Sequence, residues 1–342
     1  MSQNVTVIGA GSWGTALSTV LIDNNHDVLL WSRNDEQVAE INKYHTNKDY
    51  LPDTKLPTEL KATNDLEKAV KHAKVLLFVV PTGAIRPVAK QVAAYMSEEK
   101  VIIHAAKGLE IDTRLRISEI VKEELPNDKI EGVVALSGPS HAEEVVKHDI
   151  TSITSASEDE RLAKFVQQLF INDYFRIYTN PDIIGVEIGA ALKNIIALGS
   201  GILSGYGYGD NAKAALITRG LAEITRFGEK INANPITFLG LSGVGDLIVT
   251  CASTHSRNFQ AGHYIGSGYS LEETLEKIGM VVEGVYTTRA ANELAEELQV
   301  EMPITSAIYH VLYENVSVEE AITKLMNREG KSELEYLLTI SK

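Results

Sequence analysis

One cysteine, Cys251, serves the whole chain of 342 residues. An intrachain disulfide framework is therefore excluded, and a reducing compartment is the natural setting. His255 lies four residues further on, so a Cys/His nucleophile is conceivable, although a small core residue is the simpler reading of a lone thiol. Basic side chains are also scarce, 32 against 46 acidic ones, for a formal net charge of −14. So acidic a surface has no broad electropositive face, which argues against general binding to nucleic acid or to an anionic membrane. Any anionic small molecule must be held by a few local cations. Uninterrupted apolar runs are lacking too. The longest apolar stretch, residues 183–208, carries Glu187, Lys193 and Asn194 among frequent glycine and serine, a poor hydrocarbon span that fits a buried helix, so no stable membrane insertion is expected. The first apolar run starts a strand and has no basic segment before it, so no signal peptide is expected and the chain reads as cytoplasmic. The nine histidines show no metal-ligand spacing, and no metal is expected. His141, in Ser140-His-Ala-Glu-Glu144, reads as part of a helix start.

What the chain does have, at its start, is a strand and a turn. Val5-Thr-Val-Ile8 runs into Gly9-Ala-Gly11-Ser-Trp-Gly14, and Ala16, Leu17, Val20 and Leu21 follow at helical spacing. This reads as strand, tight turn and amphipathic helix around a G-x-G-x-x-G motif. Gly9 permits the turn, Gly11 lets the backbone approach a pyrophosphate without a Cβ in the way, and Gly14 lets the helix pack close to the strand. The unpaired N–H groups and the dipole of the helix start favour the anion.

Short apolar runs follow at 28–31, 75–80, 101–104, 133–136 and 150–154. Runs that are apolar throughout suit strands covered on both faces, the pattern of a mostly parallel, doubly wound sheet. The turns Val80-Pro81-Thr82, Ala106-Lys107-Gly108 and Leu136-Ser-Gly138-Pro-Ser140 should line one crevice, because ligands gather at the carboxyl ends of such strands. At Asn180-Pro181, an expected N-cap and first helical residue, the period becomes helical. Helical patterns cover 181–204, 211–231, 271–278, 285–298, 303–313 and 317–327. The expected fold is α/β plus all-α: a Rossmann-type dinucleotide-binding domain over 1–180, an all-helical domain over 181–330 and a tail over 331–342.

The second strand ends Trp31-Ser-Arg33-Asn34. An acid for the ribose 2′-hydroxyl is missing and an arginine suited to a 2′-phosphate is present, so NADP(H) is the expected cofactor, with NAD(H) possible. Asp35 would serve NAD(H) if the register differs. Lys193 has only apolar or small neighbours within a turn apart from Asn194. There it is partly desolvated, which lowers its pKa towards the range useful to a general acid, unless it snorkels out or pairs with Glu187. Lys107, followed by Gly108, could steady a phosphate or a carbonyl. The segment 240–258 joins a glycine-rich turn, Asp246 inside an apolar run, and Ser256-Arg257-Asn258. That trio supplies donors of the kind a phosphate monoester needs, or else is an ordinary loop. Asp246 could accept from the lysine, accept from a substrate hydroxyl, or cap a helix. Glu283, in Val281-Val-Glu283-Gly284, could reach the cofactor or simply open a helix.

These motifs together resemble one family. GAGSWGTAL at 9–17, AAKG at 105–108, LSGPSHAEEV at 136–145, GVEIGAALKNIIA at 185–197, GYGDNAKAALITRGLAE at 207–223, GLSGVGDLIVTCASTHSRN at 240–258 and VVEG at 281–284 look like the bacterial NAD(P)-dependent glycerol-3-phosphate dehydrogenases. The resemblance covers nearly the whole chain apart from the tail. It implies reversible reduction of dihydroxyacetone phosphate to sn-glycerol 3-phosphate for phospholipid synthesis, a helical substrate-binding and dimerisation domain, and a homodimer. It also implies Lys193 as proton donor or acceptor, with Lys107, Gly138, Ser140, Asp246, Ser256, Arg257 and Asn258 around the substrate. Ser12, Trp13, Arg33, Lys107, Ala142, Arg257, Val281 and Glu283 fall where the family contacts NADPH, and Tyr50 is a lesser candidate. Two other readings stand beside it: a relative acting on a β-hydroxyacid, which also pairs this sheet with a helical domain and a lysine but gives no reason for Ser256-Arg257-Asn258, and an NADP(H)-responsive module without catalysis.

Overall fold

The computed structural model describes residues 2–333, so the expected tail lies, from residue 334 on, outside the described residues. The chain forms two compact units, one of residues up to Lys107 with Leu115–Glu187, the other of Gly108–Arg114 with residues from Ile188 on. The first unit runs β1 (Asn4–Ile8), α1 (Ser12–Asp23), β2 (Asp27–Trp31), α2 (Asp35–Tyr44), β3 (Lys61–Thr63), α3 (Leu66–His72), β4 (Val75–Phe78), α4 (Thr82–Ala93), β5 (Lys100–His104), α5 (Ile117–Glu124), β6 (Ile130–Ser137), α6 (Ala142–Val145), β7 (Thr151–Ala156), α7 (Glu160–Phe170) and β8 (Phe175–Asn180). Helix α8 (Ile183–Tyr206) starts in this unit and continues into the second, which adds α9 (Asp210–Lys230), α10 (Asp246–Ala252), α11 (Arg257–Gly266), α12 (Leu271–Ile278), α13 (Glu283–Glu297), α14 (Pro303–Tyr313) and α15 (Val318–Met326).

Among the described residues eight strands form one sheet in the order β3-β2-β1-β4-β5-β6-β7-β8, parallel throughout except between β6 and β7. Its first six strands have the doubly wound order expected of a dinucleotide-binding sheet. The continuous apolar runs have a simple cause. In β4, Val75 and Leu77 join the core beneath α1 and α7, while Leu76 and Phe78 join the core beneath α3, α4 and α5. Both faces are covered, so neither can be polar. Two strands lie outside the apolar runs: β3 has only three residues, and β8 alternates as an edge strand does. The expected helix start at Asn180-Pro181 shifts by two residues. Asn180 still belongs to β8, and Asp182 does the capping, its Oδ1 accepting from Gly185 N at 2.9 Å.

In the second unit, α8 and α11 cross with almost nothing between their backbones. A Cβ on Gly201 would stand 2.0 Å from Phe259 O, and one on Gly205 2.1 Å from His263 O. Reciprocally, a Cβ on Gly262 would stand 1.9 Å from Leu198 O, and one on Gly266 2.2 Å from Ile202 O. Any side chain there would push the helices apart. Helix α8 is long and apolar enough to cross a membrane, but 94% of its apolar window is buried inside the protein.

Candidate active site

The glycine turn is built as its spacing requires. Gly9 takes φ +119°, and a Cβ on Gly14 would lie 1.9 Å from Gly9 O, so both the turn and the close approach need glycine. Gly11 is the N-cap of α1, which has no side-chain cap and no acid in its first turn. The first N–H groups and the positive end of the helix dipole are thus left to an anion. Ser12 Oγ donates to Tyr50 O at 2.9 Å, and a Cβ on Gly11 would come 3.9 Å from the Tyr50 ring. Tyr50 thereby walls the space that Gly11 leaves open. Trp13 packs on the core, with Nε1 buried and without a partner among the described residues. An uncapped helix start, a cradle that a side chain would narrow and an orphaned donor fit a dinucleotide pyrophosphate.

Spacing did not reveal what holds this turn in shape. Ala10 O accepts from Gln37 Nε2 at 2.7 Å and from Asn47 Nδ2 at 3.0 Å, and Gln37 Oε1 accepts from Ser32 Oγ at 2.6 Å. Asn47 Nδ2 also donates to Thr15 Oγ1 at 2.8 Å. Arg33 is exposed directly beyond β2, where a 2′-substituent reader belongs. Asp35 opens α2 instead and accepts from Asn64 Nδ2 at 2.5 Å.

At the carboxyl ends of the paired strands β5 and β6 three expected residues meet. Lys107 Nζ donates to Gly138 O at 3.1 Å, and Ser140 Oγ donates to the same oxygen at 2.9 Å. Ala142 opens the short α6 just beyond them.

In the second unit Lys193 is buried, 5% exposed, and is not alone. Its Nζ donates to Asp246 Oδ1 and, at 2.6 Å, to Thr250 Oγ1, whose own hydroxyl donates to Asp246 O at 2.6 Å. Asp246 and Thr250 are one turn apart on α10, so a single helical face presents both acceptors. The alternative pairing with Glu187 does not form, since Glu187 is held by Arg116, Ser118 and His104. A wide, π-type turn at Leu241–Gly245 leads into Asp246. Helix α8 packs against that turn, where a Cβ on Gly189 would stand 2.7 Å from Ser242 O. Cys251 is buried, and burial pushes its thiol up to about 12, while His255 is exposed. A Cys/His nucleophile is therefore excluded.

The loop reading of Ser256-Arg257-Asn258 is corrected. Ser256 is the N-cap of α11 and accepts from Phe259 N at 3.2 Å. Asn258 Nδ2 donates to Asn194 Oδ1 at 3.0 Å, and its Oδ1 accepts from Gly284 N at 2.8 Å, which ties together α8, α11 and α13. Of the trio, Arg257 is the exposed member. Val281 is exposed, and Glu283 opens α13. Thr250 and Asn194 had no signal of their own, because each is defined by a partner more than 50 positions away.

Residues 4–163 match the family model described as NAD-dependent glycerol-3-phosphate dehydrogenase N-terminus, and residues 182–323 match its C-terminus counterpart. A glycerol-3-phosphate dehydrogenase [NAD(P)+] of Enterococcus faecalis is 60% identical over 338 residues, covering 99% of each chain. One of Bacillus pumilus is 54% identical over 338 residues, covering 99% of this chain and 98% of its own. The crystal structure of glycerol-3-phosphate dehydrogenase from Coxiella burnetii superposes with a TM-score of 0.91 at 35% identity, covering 96% of this chain and 99% of that one.

Proposed function

The chain belongs to the NAD-dependent glycerol-3-phosphate dehydrogenase family, and from that membership we propose that it interconverts dihydroxyacetone phosphate and sn-glycerol 3-phosphate with a preference for NADP(H) over NAD(H). The observation that carries the reading is the buried Lys193, held by Asp246 and Thr250 where its neighbours within a turn are apolar or small apart from Asn194. In the reduction a carbonyl carbon becomes tetrahedral and negative charge grows on its oxygen. Lys193 Nζ gives that oxygen a proton, and in the reverse direction takes one from the hydroxyl. Asp246 and Thr250 restrict where the ammonium points, so its proton is delivered in one direction. The glycine turn, Arg33 and Lys107 would hold the dinucleotide, whose nicotinamide supplies the hydride when bound. Arg257 would clamp the substrate phosphate bidentately, which orients the reacting end. This is how so acidic a protein would hold a dianion with local cations. By the same family membership Gly138, Ser140, Ser256 and Asn258 would serve the substrate, the last two through the helix starts they hold. We further infer a 1–180 nucleotide domain, a 181–330 substrate and dimerisation domain, a cytoplasmic homodimer and a supply role in phospholipid synthesis.

The test is to follow NADPH and NADH absorbance with dihydroxyacetone phosphate. NADPH should be oxidised faster, and Arg33→Ala should lower kcat/KM for NADPH about tenfold while sparing NADH. NADH outpacing NADPH severalfold in the parent removes the assignment of Arg33. A β-hydroxyacid turned over better than the ketose phosphate replaces the substrate assignment, and NADPH binding with no oxidation by any small ketose phosphate leaves a binding module.

A further inference from the structure

The chain passes between its two units at three points, after Lys107, after Arg114 and after Glu187. On the first unit's side all three are tied to one carboxylate. Glu187 Oε1 accepts from Ser118 N at 2.7 Å and stands 3.1 Å from His104 Nε2, while Oε2 accepts from Ser118 Oγ at 2.7 Å and from Arg116 Nη1 at 2.6 Å. His104 precedes Lys107 by three residues, Arg116 follows the second crossing by two, and Glu187 is the last residue before the third. Lys193 comes six residues later on the same unbroken helix, about 9 Å along its axis.

Stability alone gives no reason for this arrangement. Glu187 is 6% and His104 1% exposed, and neither ring nitrogen of His104 makes a hydrogen bond among the described residues, Nε2 only approaching the carboxylate. An unmet buried nitrogen costs about 1–3 kcal/mol, and a buried ionic cluster is often no more stabilising than apolar residues of the same volume. What the cluster does provide is direction, because a carboxylate carried by one segment, held by the donors of a second, Arg116 and Ser118, and in contact with His104 of a third leaves the three little freedom to shift against one another. Burial by itself would raise the Glu187 carboxyl, but His104, Arg116 and Ser118 outweigh it and hold the group at about 2. It is therefore charged throughout the neutral range.

Resting on the function proposed above, we infer that Glu187 is a positioning residue, whose carboxylate fixes the chain ends leading to Lys107 and to Lys193 without touching the substrate. Glu187→Gln keeps the volume and removes the charge. It should lower kcat at least about tenfold, as misplacement of reacting groups does. Hydrogen exchange at residues 105–107 and 115–118 should speed up while β1 and β4 stay unchanged. Ile120→Ala, a buried apolar truncation on α5 that removes no hydrogen bond to the carboxylate, is the control for stability loss alone. Ser118→Ala, which removes only the hydroxyl donor, should lower kcat about threefold and carries the test if the glutamine variant does not fold. A Glu187→Gln kcat within twofold of the parent, unchanged exchange, or an equal kcat loss in Ile120→Ala at matched Tm overturns the inference. A parent chain inactive with dihydroxyacetone phosphate and NADPH overturns the function instead, and the exchange comparison still decides whether Glu187 holds these segments.

Discussion

In the sheet unit the candidate anion site is made of main-chain N–H groups and a helix dipole at the partly exposed start of α1. In the helical unit the candidate proton donor is a full charge, Lys193, buried against another full charge, Asp246. The units' buried carboxylates reverse this division. Glu187 faces an arginine and a histidine and is held at about 2. Glu223 of α9, 2% exposed, is met at its carboxylate by donors at the start of α14, Ile304 N at 2.7 Å, Thr305 N at 3.2 Å and the Thr305 hydroxyl at 3.3 Å. Burial outweighs these, with Arg226 adding only a weaker charge, and pushes Glu223 up to about 7. Dipoles suffice for an anion where water also reaches. In the interior a charge needs a counter-charge, or it tends to neutralise.

The strongest way to break this contrast is at Lys193. Lys193→Ala should lower turnover by about 10³-fold or more, within the range for losing a general acid, while NADPH binding persists. It also removes one member of a buried ion pair, which costs about 3–5 kcal/mol. Adding Asp246→Asn should therefore recover Tm but not activity, and turnover within tenfold of the parent removes Lys193 from the chemistry. Gly14→Ala comes next. With a Cβ 1.9 Å from Gly9 O, the turn must shift, and titration should show NADPH affinity weakened by about 10²-fold or the sheet unit unfolded. Wild-type NADPH affinity in that variant would show that the backbone geometry is not what binds.

The smallest effect sharpens the contrast between the carboxylates. Glu223 holds its proton more tightly folded than unfolded, so its contribution is fully present below about pH 4.5 and is lost as pH rises through about 7. Glu187 is the reverse, with its contribution present above about 4.5 and lost as pH falls towards 2. Denaturant melts of Glu223→Gln across pH 5 to 8 should show the variant gaining on the parent as pH rises, by on the order of 3 kcal/mol at most. A gain that shrinks with rising pH would mean the helix start holds Glu223 ionised after all.

The contrast also explains what could be read from the chain alone. The glycine turn is contiguous, and its job follows from spacing, so Gly9 to Gly14 announced both the strand before and the helix after. The core strands were legible for a similar reason, since burial on both faces leaves an unbroken apolar run. Edge strands β3 and β8 were not, because one is too short and the other is half exposed. Helices α10 and α11 were masked by the glycines and polar residues around them, whose reason is close packing and capping. Lys193 could be suspected from its neighbours, but Asp246 is 53 positions away and Thr250 57. Such a partnership exists only once the helices are packed, and spacing holds no trace of it. Gln37 and Asn47, which fasten the glycine turn through Ala10 O, were silent for the same reason.

The crossing of α8 and α11 has a mechanical consequence. Its separation is gauged by peptide planes at Gly201, Gly205, Gly262 and Gly266, and peptide planes have no rotamers to give. Elsewhere a packed interface can settle by turning a side chain, so its spacing drifts a little with temperature or with a neighbouring substitution. This seam cannot. It works as a fixed-gauge joint within the unit that carries Lys193, and warming should loosen the periphery of that unit before it changes the distance between these two helices.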